Sequence, residues 1–195
     1  MDRETELTLV AGLRAGDPDA FEAVHAAFHA RLFNFLARLC RRREVAEDLL
    51  EETWLRLVTH SGRLAPDTRL APWLYTVARN LFYSYCRSRA MDEESAASLI
   101  GLWPGGTPPP SPFGEAAAEE LERRVERALA GLPATYREVL LLVGVEGLSP
   151  SEAARACGVS SEALRQRLSR ARAMLARELK PAPVQRAALA AEVTT

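Results

Sequence analysis

The chain has 195 residues, 48% hydrophobic and 26% charged, and 25 Lys and Arg against 26 Asp and Glu give a formal net charge of -1. That is globular composition with apolar mass for one core or two small ones, and it excludes fibrous and intrinsically disordered classes. A neutral total does not exclude a nucleic-acid partner, because steering depends on where the charge sits.

The N-terminus, MDRETELTLV, is charged and lacks the apolar region of a secretory leader. The longest apolar run, around 139–145, is far short of a membrane span. A soluble cytoplasmic protein is expected. Cys40, Cys86 and Cys157 are odd in number, far apart and without C-x-x-C spacing. They suggest neither a disulfide framework nor a zinc site, and read as buried free thiols in a reducing cytosol. No metal or cofactor is expected.

The first helical block covers roughly residues 5–90. Gly16-Asp17-Pro18 is a helix start, with Asp17 placed to cap free N–H groups and Pro18 at the first helical position. Phe21, Val24, Phe28, Leu32, Phe35 and Leu39 recur at three- and four-residue steps and predict one buried face. A second helix is predicted over 44–58, with Val45, Leu49, Trp54, Leu57 and Val58 as its apolar residues. After a polar stretch at 59–67, a third runs from about Arg69 to Arg89, giving a small bundle. Residues 91–114 carry five prolines and four glycines without sustained periodicity and read as a linker.

The second helical block covers roughly 116–178. Leu121, Val125, Ala128, Leu129 and Leu132 mark its first helix. Pro133 opens the next, with Tyr136, Val139, Leu140 and Val143 on its expected inner face. Ser149-Pro150-Ser151-Glu152 is a capping box with proline at the first helical position. Gly158 offers a left-handed exit, and Ser160 or Ser161 caps a further helix. A short helix, a glycine turn and a second helix make the helix-turn-helix layout. The Ala-rich tail at 181–195 is expected to fray. No strand alternation persists, so the fold class is all-α.

The last helix of that layout concentrates positive charge. Leu168, Ala171 and Leu175 fall within about 40° of Leu164 at 100° per residue and form the buried stripe with it. Gln166, Ser169 and Ala173 make a slim opposite face, and Arg165, Arg167, Arg170 and Arg172 stand on the flanks. A helix that reads a DNA groove needs this division: slim residues at the base edges, an amide able to bond adenine, and cationic arms for the phosphate walls. A solvated basic face is the bland reading, and the bihelical frame favours DNA over it.

LPATYREVLLLVGVEGLSPSEAARACGVSSEALRQRLSRARAMLARELK resembles region 4 of extracytoplasmic-function sigma factors, in the sigma-70 family of bacterial transcription initiation factors. GDPDAFEAV, AEDLLEETWLRLV and APWLYTVARNLFYSYCRSR resemble region 2 of the same family, in order. The resemblance implies region 2 over 5–90, a linker over 91–115, region 4 over 116–180 with its helix-turn-helix at about 149–170, and a tail over 181–195. It implies no catalysis. The expected partners are core RNA polymerase, through the clamp coiled coil of its largest subunit and its flap, together with promoter DNA and an anti-sigma factor.

Carried over by motif, Asp48, Leu49, Glu51, Glu52 and Thr53 would dock on the clamp. Arg79, Asn80, Tyr83, Ser84 and Arg87 would handle the minus-10 element, with the loop 61–68 capturing a flipped base. Arg155, Ser161, Arg165, Gln166, Arg167, Ser169 and Arg170 would read the minus-35 element. The chain departs from the family at Glu51, commonly Gln, at Ser84, commonly Asp, and at 162–166, often Gly-Thr-Val-Lys-Ser. Those departures bear on polymerase contact and promoter preference.

The alternative reading is a helix-turn-helix regulator that acts without polymerase. Its first block would be a receiver or ligand module, and a receiver needs strands alternating with helices. His25 and His29, four apart, have no H-E-x-x-H frame and read as surface histidines. Arginines near Cys40 and Cys86 raise the option of activated thiols.

Overall fold

The computed structural model describes residues 1–92 and 116–180. Among these are eight α-helices: α1 Arg3–Ala15, α2 Pro18–Cys40, α3 Arg43–His60, α4 Leu70–Asp92, α5 Ala116–Gly131, α6 Ala134–Leu140, α7 Pro150–Cys157 and α8 Ser161–Glu178. The segments 93–115 and 181–195, read as linker and tail, lie outside the described residues.

Local chemistry sets the breaks. Asp2 caps α1 by accepting from the Thr5 N–H, and Gly16, at φ 76°, closes it in the left-handed region. Asp17 then accepts from the Asp19 N–H with Pro18 inside the first turn of α2, as the sequence predicts. α1 itself is an addition to the three helices read from the sequence. α2 ends at Arg41, a non-glycine residue at φ 59°, whose N–H donates to the Ala37 carbonyl.

The α1–α2 corner is tight. A Cβ added at Gly12 would stand 2.6 Å from the Ala20 Cβ, closer than two carbons approach. Helix propensity favours alanine over glycine by about 1 kcal/mol. Overpacking of a close crossing costs about 1–3 kcal/mol. Gly12→Ala is therefore expected to lower the thermal midpoint; a raised midpoint would show that the corner has room.

α2 lays Val24, Phe28, Leu32, Phe35 and Leu39 into the core, and α4 answers with Leu70, Leu74, Tyr75, Ala78 and Phe82. Phe35 and Tyr75 meet edge to face at 5.2 Å. Glu6, buried on α1, ties the bundle to α4 by accepting from the Leu70 N–H at 2.8 Å and pairing with Arg69 at 2.9 Å.

α6 widens into a π-helical turn over Leu141–Val145. The capping box at Ser149 and Glu152 is formed, Gly158 exits α7 at φ 64°, and Ser160 caps α8 by accepting from the Ala163 N–H. These are the caps predicted from sequence. Leu164, Leu168 and Ala171 are buried, with Leu175 partly so.

The two blocks pack on each other, with α7 against α4 and α6 against α2, and one apolar core runs through both. The inner face of α6 differs from expectation. Val139 is buried, but so are Arg137 and Glu138, while Tyr136, Leu140 and Val143 are only partly covered. The periodic apolar positions mark only part of the covered surface, because α6 is enclosed on several sides.

Candidate nucleic-acid interface

α8 presents Ser161, Arg165, Gln166, Ser169 and Arg170 to solvent, and Arg155 is exposed on α7. The outer face is not bare of acid. Glu162 pairs with Arg165 and accepts from the Gln166 amide at 3.2 Å. Those two donors hold the Glu162 carboxyl below its usual range. Arg167 differs from its neighbours: its guanidinium points inward, 4.0 Å from Glu138.

The five minus-10 candidates divide. Asn80, Ser84 and Arg87 are exposed, and Ser84 accepts from Arg87 at 3.1 Å. Arg79 and Tyr83 instead face α6. Arg79 Nε donates to Glu138 at 2.9 Å, and its guanidinium lies over the Tyr83 ring at 4.6 Å. Burial works to lower the Arg79 guanidinium, but Glu138 outweighs it and the net shift is upward. The Tyr83 hydroxyl and Glu138 Oε1 are buried without a hydrogen-bond partner. Burial pushes the Glu138 carboxyl up, with Arg79 opposing.

The proposed polymerase-docking residues divide between two faces of α3. Thr53 is 0% exposed and donates to the Leu49 carbonyl, and Leu49 is also buried. Both face the bundle core. The outer face of α3 is built from Asp48, Glu51 and Glu52 with Leu55 and Val58, two exposed apolar residues that the motif did not single out. Spacing finds them: positions 48, 51, 55 and 58 follow one helix face, whereas 49, 53 and 57 follow the buried one.

Arg137 is the main residue missed. Its guanidinium is buried and donates to five carbonyls: Leu129, Ala130 and Leu132 at the end of α5, and Arg38 and Leu39 at the end of α2. All three guanidinium nitrogens are engaged in a fork that lysine cannot reproduce. Burial, then Arg41, pushes it down to about 10.

Burial pushes the Cys86 thiol up to about 11 and Cys157 to about 12, with Cys40 raised further. Neighbouring arginines do not activate them, against the option raised from sequence. His25 and His29 lie beside Trp54, their own ring centroids 4.5 Å apart and tilted to one another. Among the described residues, no three His, Cys, Asp or Glu side chains gather as a metal site, and no helix is long and apolar enough to cross a membrane.

Comparison with known proteins agrees with the sequence resemblance. Residues 24–91 match the family described as Sigma-70 region 2, and residues 122–175 match Sigma-70, region 4. The RNA polymerase sigma factor CarQ of Myxococcus xanthus is 35% identical over 157 residues, 80% of this chain and 87% of that protein. The ECF RNA polymerase sigma factor EcfG of Rhodopseudomonas palustris is 35% identical over 141 residues, 72% of this chain and 75% of that protein. Among solved structures, the sigma factor RpoE of Bartonella quintana, in complex with the anti-sigma factor NepR, superposes with a TM-score of 0.70 at 28% identity, covering 82% of this chain and 96% of that one. With both family regions present in order and the helical frame shared, the chain belongs to the sigma-70 family of RNA polymerase sigma factors, in its extracytoplasmic-function group.

Proposed function

We propose that this sigma factor divides its work among three surfaces. α8, with Arg155 of α7, reads the minus-35 element in the major groove. α4, through Arg79, Asn80, Tyr83, Ser84 and Arg87, engages the opened minus-10 strand, with the loop 61–68 beside it. The outer face of α3 docks on the clamp coiled coil of the polymerase largest subunit, and region 4 meets the flap. The boundaries are region 2 at 5–90, linker at 91–115, region 4 at 116–180 and tail at 181–195. The protein works in the cytoplasm under control of an anti-sigma factor, a partner also present in the solved RpoE complex.

The observation that carries this reading is α8, where Arg165, Gln166, Ser169 and Arg170 are exposed together on a capped helix of a helix-turn-helix. Cationic arms position a helix on phosphates, and amide or hydroxyl groups between them read base edges. On α3, exposed Leu55 and Val58 beside Asp48 and Glu51 have the apolar-and-charged make-up of a protein contact, in which charge supplies register.

The α3 assignment is open to direct measurement. Asp48→Arg with Glu51→Arg changes only exposed positions, so the helical signal should persist. Affinity for core polymerase should fall at least about tenfold, equivalent to roughly 1.4 kcal/mol. Unchanged affinity would remove α3 from that interface.

A further inference from the structure

We propose that α1 braces the loop 61–68, with Arg3 and Glu6 as positioning residues for recognition of the minus-10 element, an inference that rests on the reading of that loop as the one that captures a flipped base.

The loop has little to hold it by itself. Ser61–Arg63 form a single 3-10 turn, the Leu64 N–H donates to the Ser61 carbonyl at 3.1 Å, and the Thr68 N–H donates to the Ala65 carbonyl at 3.0 Å. Leu64 is buried, whereas Ala65, Pro66 and Asp67 are exposed. Ordering each backbone residue costs conformational entropy, and a surface loop with two local turns recovers little of it from its own contacts.

The further contacts come from α1. Arg3 Nη2 donates to the Asp67 carbonyl at 2.8 Å, and Arg3 Nη1 donates to the Thr68 carbonyl at 3.4 Å and to the Glu6 carboxylate at 2.7 Å. Glu6 stands three residues after Arg3, so the two share a helix face. Its other oxygen accepts from the Leu70 N–H at 2.8 Å, and the carboxylate pairs with Arg69 at 2.9 Å. Four consecutive residues are thus held from one side: the carbonyls of Asp67 and Thr68 by Arg3, the guanidinium of Arg69 and the N–H of Leu70 by Glu6. Arg69 also reaches Glu152 at 3.4 Å.

Glu6 is 5% exposed. A carboxylate is buried this far only when donors satisfy it, because its desolvation is costly. Here the donors come from its own helix and from the end of the loop, so burial of Glu6 and placement of the loop depend on each other. Arginine suits the partner position, since its planar fork serves two carbonyls and a carboxylate together where an ammonium would not. Ala65, Pro66 and the Asp67 side chain therefore stand between two fixed points, Leu64 in the core and the α1 clamp. A base that leaves the stack already costs unstacking, and a loop ordered beforehand adds no ordering cost at capture.

The full-length chain in holoenzyme tests this, with promoter duplexes that carry each of the four bases at each minus-10 position. In Arg3→Ala, the ratio of initiation between preferred and other bases at the captured position should fall about tenfold, equivalent to roughly 1.4 kcal/mol. Ratios at minus-35 positions should hold. Glu6→Gln should shift the same ratio in the same direction, and Arg3→Lys should recover part of it. Leu39→Ala, a buried change at the C-terminal end of α2, supplies a general loss of stability and should leave the ratio as in the parent. An unchanged ratio in Arg3→Ala, or an equal loss in Leu39→Ala, overturns the brace. Pro66→Gly with Asp67→Ala alters the loop directly. If that pair changes the ratio while Arg3→Ala does not, the brace alone fails. If that pair also leaves the ratio untouched, the loop captures no base, and the flipped-base reading fails together with the brace.

Discussion

Arg137→Met is expected to be the most damaging single substitution described, lowering stability by about 3–5 kcal/mol. The estimate follows from the hydrogen bonds removed. Five carbonyls accept from one buried guanidinium, and methionine replaces its stem but none of its donors. Hydrogen bonds from charged groups contribute roughly 1.5–3 kcal/mol each, and a buried acceptor left unsatisfied costs about 1–3 kcal/mol. Partial hydration of the cavity and relaxation of the helix ends bring the sum down to the stated range. For a chain of this size the thermal midpoint should fall by on the order of 10 °C. Arg137→Lys should recover only part of the loss, because one ammonium cannot serve five carbonyls at two helix ends. A midpoint within a degree or two of the parent in Arg137→Met would mean that the carbonyls find other donors.

The second large effect concerns DNA. Arg155, Arg165 and Arg170 are exposed, and the proposed reading gives each a phosphate contact. Replacing all three with alanine should reduce holoenzyme affinity for a minus-35 duplex on the order of a hundredfold at low salt. The log–log salt slope should become shallower by about 2.7, at roughly 0.9 per phosphate contact. Gln166→Ala should behave differently. It removes an amide and no charge, so the slope should hold while preference at one base pair relaxes by about 1–3 kcal/mol. Titrations of promoter duplexes at several salt concentrations separate the two. An unchanged slope in the triple variant would leave α8 as an ordinary solvated basic helix.

Much of this architecture is legible in the sequence because it is set locally. Ser149, Glu152 and Gly158 fix the helix-turn-helix through caps and one left-handed residue, all within ten positions. The α2 stripe from Val24 to Leu39 needs only helical period and burial. Site residues are less legible, because a motif names a segment and not its faces. Leu49 and Thr53 share a motif with Asp48 and Glu51, yet the helix turns them inward while Leu55 and Val58 turn out. Arg137 and Glu138 are hidden for a different reason. A charged residue on an amphipathic helix reads as solvated, and the groups that cover these two sit on other helices, α2 and α5 for Arg137 and α4 and α8 for Glu138. Arg79 and Arg167, chosen as DNA ligands by motif, sit on Glu138 for the same long-range reason.

The central claim is that this chain turns core polymerase into a promoter-specific enzyme. Run-off transcription with purified core RNA polymerase on a library of promoter fragments, read by sequencing, tests it directly. Addition of the chain should produce transcripts from defined start sites that share upstream elements, with none from core enzyme alone. A chain that binds duplex promoter tightly by itself, yet never elicits a specific start from core polymerase, would contradict the account and favour a regulator that acts without polymerase.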